Sequence, residues 1–434
     1  TRDRVAWDHL SDQPHQHAGR LQRLAVRLAD SGDHARSAVA ALAAAPRIWR
    51  RYRQLVTARQ AEPRPWQGIG VALRPHEADP EGLLRAIEEL GVGPLLLRLH
   101  PWQQDHRAEE ELAGRLAAAG HELTFALPQT RELVRDPVRW RSAVEELGER
   151  FRPYGRRFQV GQAINRSKWG VWKYGEYLEL VAAASEILRR HPETEVLGPA
   201  VIDFEPHATA AALNRRRPPV RFDVVAHLLY VDRRGAPENQ QLGLDTVDKV
   251  TLLHAVAATA RNGAGRSWIT EVNWPLWEGP HSPAGRDVAV DEETQADYLA
   301  RYYLLTLATG LVERVFWWQL AARGYGLLDP GDGGLRCRPA FKAMRTLVRR
   351  LEGCLCLGPL PAPPPARLLR FRRQDGAELV AAWSTSGSIG AELPRPATEI
   401  ISRDGEPLTA SGRSIELTGS PRLVRLSDET AGAR

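Results

Sequence analysis

Several short apolar runs in this 434-residue chain end in side chains able to do chemistry. Arg98 and His100 close the second run, Gln162 and Asn165 the fourth, and Asp203 and Glu205 the fifth. His227, Tyr230 and Asp232 belong to the sixth, Glu271, Asn273 and Trp274 to the seventh, and Trp317, Trp318 and Gln319 to the eighth. Carboxylates protonate a leaving group or attack an acetal carbon, amides and guanidinium groups bond hydroxyls, and indole faces cover the apolar side of a pyranose ring. That mixture is what a sugar site needs. Glu271 and Glu205 are the candidate catalytic carboxylates. Glu205 is the expected acid, with a plain loop or helix-capping carboxylate before Pro206 as the competing reading.

The neighbourhood of each candidate refines the picture. Asp203 and Glu205 alternate along an extended chain, so both face one way and Phe204 the other; Trp317 and Trp318 must likewise part, one toward outer helices and one toward the site. After the fourth run comes Asn165-Arg166-Ser167-Lys168-Trp169-Gly170. Two cations beside an aromatic suit a carboxylated or phosphorylated glycan, and equally a solvated loop anchored by Trp169. The expected ligand-contacting set is Arg98, His100, Asn165, Arg166, Lys168, Asp203, His227, Tyr230, Trp274 and Trp318.

Other chemistries lack their signatures. No G-x-S-x-G elbow occurs. His76, His100 and His227 come without ligand spacing such as H-E-x-x-H, so no metal is expected. No G-x-G-x-x-G or P-loop follows any run, so no nucleotide cofactor is expected. The formal charge of +6 is arginine-rich, but Arg215-Arg216-Arg217 and Arg349-Arg350 read as solvated faces and not as a nucleic-acid module. No apolar stretch approaches the ~18 residues needed to span a bilayer. Cys337, Cys354 and Cys356 form no zinc spacing and read as buried free thiols. The chain starts at Thr1, which leaves a removed leader open. Oligomeric state and compartment, cytoplasmic or periplasmic, are open as well.

The elements that must hold these residues follow from the apolar periodicity. Residues 1–62 read as a helical segment, with Leu21, Leu24, Leu28, Val39 and Leu42 at helical spacing, ended by Pro63 and Pro65. This segment, rich in arginine and alanine, is expected to dock on the body of the protein and stay out of any sugar-binding mouth. Residues 63–352 alternate strand and helix, with strands at 68–73, 95–100, 122–127, 157–162, 195–201, 222–230, 267–273 and 313–319. Eight such strands predict an α/β fold closed as a (β/α)₈ barrel, whose working residues sit at the C-terminal strand ends. A second proline cluster, Pro359 to Pro365, precedes a small all-β, sandwich-like unit over 353–434.

Over roughly residues 66–350 the chain resembles the clan of retaining glycosidases built on (β/α)₈ barrels, which includes β-xylosidase-like and cellulase-like enzymes. Trp268-Ile269-Thr270-Glu271 is similar to that clan's strand-seven motif, whose glutamate is the nucleophile. Arg98 resembles the strand-two arginine that orients it, Tyr230 the tyrosine beside it, and Trp318 the tryptophan under the sugar. Gly326-Leu327-Leu328-Asp329 followed by Arg338-Pro339-Ala340-Phe341 is similar to the clan's closing segment. The resemblance implies that Arg98, Tyr230, Glu271 and Trp318 ring one mouth. One departure stands out. The clan's strand-four Asn-Glu-Pro, which carries the acid/base, is replaced by Gln162-Ala163-Ile164, and alanine transfers no proton. Two functions follow. One is a glycosidase of non-standard or missing acid/base acting on an acidic, bacterial-type polysaccharide or glycoconjugate. The other is an inactive glycosidase-like barrel that binds a glycan or a protein.

Overall fold

The structure, a computed structural model, describes residues 7–8, 12–14, 28–58, 62–75, 79–278, 282, 285–331, 334–410 and 412–428. His76, Leu21 and Leu24 lie outside the described residues. Eight parallel strands close a barrel: β1 (Ile69–Leu73), β2 (Pro94–Arg98), β3 (Glu122–Leu127), β4 (Arg157–Val160), β5 (Glu195–Ile202), β6 (Val224–Leu228), β7 (Ser267–Val272) and β8 (Arg314–Trp317). Each pairs with its sequence neighbours, and β8 closes on β1 through Val315 opposite Ile69 and Trp317 opposite Val71. The chain therefore has the (β/α)₈ fold, with additional sheet at its C-terminal end.

Alternation along the strands sorts the core into two layers. Ala72, Leu96, Ala126, Leu197, Ala226, Trp268 and Phe316 fill the barrel interior. Leu95, Leu97, Phe125, Phe158, Val160 and Trp317 pack outward against the helices. Gly70 makes room inside: a Cβ there would lie 2.7 Å from the Phe316 ring. At the N-terminal strand ends a ring of opposite charges closes the barrel floor. Arg157 bonds Glu122 at 2.6 Å and Glu195 at 2.7 Å, Arg314 also bonds Glu122, and Arg266 bridges Glu195 and Glu313. The opposite end is left for chemistry.

The C-terminal region forms a seven-stranded antiparallel sheet and a two-stranded one, with Val380, Ala382, Ile400, Ile415 and Leu417 buried in one cluster. The larger sheet takes its edge strand, Arg64–Trp66, from ahead of the barrel, so the chain crosses this sheet before it enters β1. The Ser31–Ala58 helix lies on the outside, packed on the Tyr174–Leu188, Pro206–Asn214 and Thr246–Thr259 helices through Ile48, Tyr52 and Leu55. Cys354 and Cys356 are buried free thiols, whereas Cys337 is exposed, because its short hairpin, Leu328–Gly331 with Gly334–Cys337, lies at the surface. Among the described residues no helix is long and apolar enough to cross a membrane.

Candidate active site

Glu271 reaches the barrel mouth through a break in strand alternation. Ile269 and Val272 both pack outward although they are three residues apart, and the β7–β8 register shifts between them. A bulge of this kind re-aims one side chain. Here it turns Glu271 inward, where strict alternation from the inward Trp268 would have presented Thr270. The carboxylate then meets three donors. Oε2 accepts from Arg98 Nη2 at 2.8 Å and from Gln162 Nε2 at 2.7 Å, and Oε1 accepts from the Tyr230 hydroxyl at 2.6 Å. Burial pushes the Tyr230 phenol well above its ordinary pKa and the adjacent Glu271 pushes it further, so it stays a donor. The Arg98 guanidinium lies 3.7 Å from the centroid of the Trp318 ring, which sits on the interior side while Trp317 lies in the outer layer. Arg98, Tyr230, Glu271 and Trp318 thus share one mouth.

The β4 end supplies Gln162 to this cluster and nothing acidic. Gln162 is itself fixed by Gln159 and Gln129. Ala163 follows at φ 44°, fully buried among interior residues that include Trp169. Past it, Asn165 clamps the end of β5: its amide oxygen accepts from Ile202 N, and its amide nitrogen donates to Ile202 O and Glu205. Arg166 donates to Glu205 and Asp203, both at 2.6 Å. Asp203 and Glu205 therefore do face one way, with Phe204 buried on the other side. Both oxygens of Glu205 already accept bonds, from Arg166 and Asn165, and the Arg166 charge is matched by two carboxylates.

Two expected ligand contacts lie elsewhere. His227 is turned into the layer between barrel and helices, because Ala226, Leu228 and Tyr230 hold the inward parity on that strand. Burial, with His254 nearby, lowers its pKa to about 3. Trp274 is also an outer-layer residue, stacked on Trp317 and donating its indole N–H to Gly235 O. Asn273, between the bulge and Trp274, faces the mouth, donating to Trp318 O and accepting from Arg234.

The N-terminal segment corrects the expectation that it stays clear of the mouth. Its helix does dock outside, but Trp7–Asp8 pairs with Gln13–Pro14 as a small ribbon inside the mouth. Asp12, 1% exposed, accepts from Arg98 Nη1 at 2.9 Å and lies 2.8 Å from His100 Nε2. Burial alone would push its carboxyl up, but Arg98 and His100 outweigh that and hold it far below the usual carboxylate range. The Trp7 ring packs against His100, Trp102 and Trp169, with centroids 5.4, 4.7 and 5.6 Å away. Gln13 accepts from Lys168 Nζ at 2.7 Å. Burial lowers the Lys168 ammonium pKa, and Glu271 is the largest opposing influence. One aromatic residue of this segment, Trp7, thus enters the mouth.

No protein-family model and no curated protein matches the chain. Among solved structures it is similar to a GH30 endoxylanase from Clostridium papyrosolvens C71, with TM-score 0.57 and 11% identity over 85% of this chain and 98% of that one. It is similar to an α-L-arabinofuranosidase from Thermotoga maritima, with TM-score 0.56 and 11% identity over 85% and 98%. A third likeness is the catalytic domain of GH30 xylanase C from Talaromyces cellulolyticus, at TM-score 0.52 and 10% identity over 84% and 98%. At such identities the likeness is one of architecture alone: the chain shares a (β/α)₈ barrel fold with these proteins and carries additional sheet at its C-terminal end.

Proposed function

We propose that the barrel mouth is a retaining-type glycoside site in which Glu271 is the nucleophile and β4 contributes no acid/base. The observation that carries this is the grip on Glu271 by Arg98, Gln162 and Tyr230. Three donors fix the orientation of the carboxylate, which suits a group that attacks from one set position. Oε1, with its single Tyr230 bond, is the oxygen placed to form the ester to the anomeric carbon while the bond to the leaving group breaks. Trp318 supplies the apolar floor for the sugar ring. With alanine at 163 the leaving group departs unprotonated, so reaction favours groups stable as anions, and water then attacks the glycosyl ester slowly for want of a base.

An activated glycoside panel, dinitrophenyl glycosides and their 2-fluoro analogues, tests the reading by intact mass. A Glu271 adduct that persists, and that azide releases faster, is the expected result. Glu205 is the rival acid. If it serves, unactivated glycosides are cleaved without azide, and Glu205→Gln abolishes that cleavage while sparing activated substrates. A second reading, a glycan-binding barrel without turnover, is favoured by the complete burial of Ala163 and by the ribbon in the mouth. It expects no adduct across the panel, yet oligosaccharide affinity that Trp318→Ala weakens.

A further inference from the structure

The N-terminal ribbon occupies the mouth with the chemistry of a ligand. It offers a carboxylate to Arg98 and His100, an aromatic ring to a cage of His100, Trp102 and Trp169, and an amide oxygen to Lys168. Arg98 is forked between two carboxylates, with Nη2 on Glu271 and Nη1 on Asp12. The charges around Lys168 show what the ribbon contributes: Glu271 stands on a barrel strand and Arg166 and Arg234 on the loops that follow the fourth and sixth strands, while Asp8 comes from the ribbon. Withdrawing the ribbon removes both Asp8 and Asp12 and leaves Glu271 facing Arg98, Lys168 and Arg234. The mouth then carries excess positive charge beside a trimmed aromatic cage. Of the two loop cations that suit an acidic glycan, Lys168 contributes to that excess and Arg166 does not, because Asp203 and Glu205 match it.

We propose that this ribbon is a built-in competitor, and that the glycan bound at the mouth bears a carboxylate which replaces that of Asp12 on Arg98 and His100. The inference rests on the mouth being a sugar site and adds the class of sugar, a uronic acid or a similarly carboxylated residue. Tethering gives the ribbon an effective concentration on the order of millimolar, so a free glycan must outcompete a carboxylate that is always present. Losing Asp12 removes charge-assisted bonds whose strength corresponds to a factor of ~10 or more in a competing equilibrium.

The test uses the full chain with glucuronic- and galacturonic-acid oligomers as probes and the matching neutral oligomers as controls. Calorimetry on the wild type, Asp12→Ala and Asp12→Asn measures affinity, and hydrogen exchange follows the peptide that contains residues 7–14. The expected result is binding of at least one uronate, loss of protection over 7–14 as it binds, and ~10-fold or greater tightening in both variants, with neutral oligomers little changed. Asp12→Asn keeps the shape of the side chain and guards against a folding defect in Asp12→Ala. Binding with the ribbon still protected, weaker uronate binding in both variants, or no uronate binding at all overturns the proposal. The outcome is separable from that of the function itself, because a Glu271 adduct with an undisplaced ribbon would preserve the site and refute the competitor.

Discussion

Replacing Arg98 with methionine puts a number on the grip that organises the mouth. Arg98 is 3% exposed and pairs at 2.9 Å with Asp12 and 2.8 Å with Glu271. Removing one partner of a buried ion pair costs ~3–5 kcal/mol, because a desolvated charge is left behind. Here two carboxylates lose the same cation. Glu271 is built into β7 and cannot leave, which sets the lower end at ~3 kcal/mol, whereas Asp12 can regain water if the ribbon lifts, which keeps the total nearer ~5 than twice that. The loss should also depend on pH. In the wild type the Asp12 pKa is depressed, so its contribution is fully present above the unfolded carboxylate value of ~3.9 and fades as pH falls through the lower folded value. Without Arg98, burial raises the pKa of Asp12 against the remaining pull of His100 and Arg74, so the variant carries a penalty above pH ~4 that protonation relieves. Urea unfolding at pH 7 and pH 4.5 should show the gap between wild type and Arg98→Met narrowing at the lower pH. Arg98→Met combined with Asp12→Asn should recover part of the loss at pH 7. A gap below ~1 kcal/mol, or one of constant size across that range, would show that the pairing does not hold the mouth together.

Two further substitutions separate the inner layer from the outer. Tyr230→Phe removes the 2.6 Å bond to Glu271 Oε1 and should slow glycosyl labelling of Glu271 by ~10- to 100-fold, the worth of a hydrogen bond to a charged group, with little change in fold by circular dichroism. An unaltered labelling rate would remove Tyr230 from the site. His227 is buried with a pKa near 3, so the folded protein refuses a proton that the unfolded chain takes up below ~6.5, and stability falls as pH drops between those values. His227→Leu should flatten that acid limb by a few kcal/mol while leaving oligosaccharide affinity unchanged; a drop in affinity would return His227 to the ligand.

The barrel was legible because each strand is a short apolar run bounded by turn residues, and eight of these in alternation with helices leave few other closures. The site was legible only in part. The parity that turns Tyr230 inward also turns His227 outward, three residues away, so the misplacement of His227 was decidable from sequence by counting along the strand. Trp274 was not decidable that way, because counting by twos from Trp268 puts it inward and only the bulge turns it out. Glu271 is a like case. Counting from Trp268 points to Thr270, and it was the motif resemblance, carrying a bulge that periodicity does not reveal, that picked out the residue turned into the mouth. The cluster of Arg166, Asp203 and Glu205 shows a third limit: sequence displays charges singly, and whether a cation is available depends on carboxylates that arrive from another strand.

The ribbon is the feature that sequence had least chance of showing. Its anchoring contacts join Asp12 to Arg98 and His100 across 86 and 88 residues, and no periodicity marks a two-residue strand. Composition argued against it, since one tryptophan and two aspartates are lost in an arginine- and alanine-rich leader. Only the pairing of Asp12 with a cation that also holds Glu271 gives those residues meaning. A guanidinium that must serve two carboxylates at once cannot be judged from either strand alone. In the proposed exchange Nη1 passes from Asp12 to a sugar carboxylate while Nη2 keeps its bond to Glu271, because the two carboxylates occupy separate nitrogens of Arg98. That separation lets the mouth be occupied by its own chain and still keep Glu271 in position.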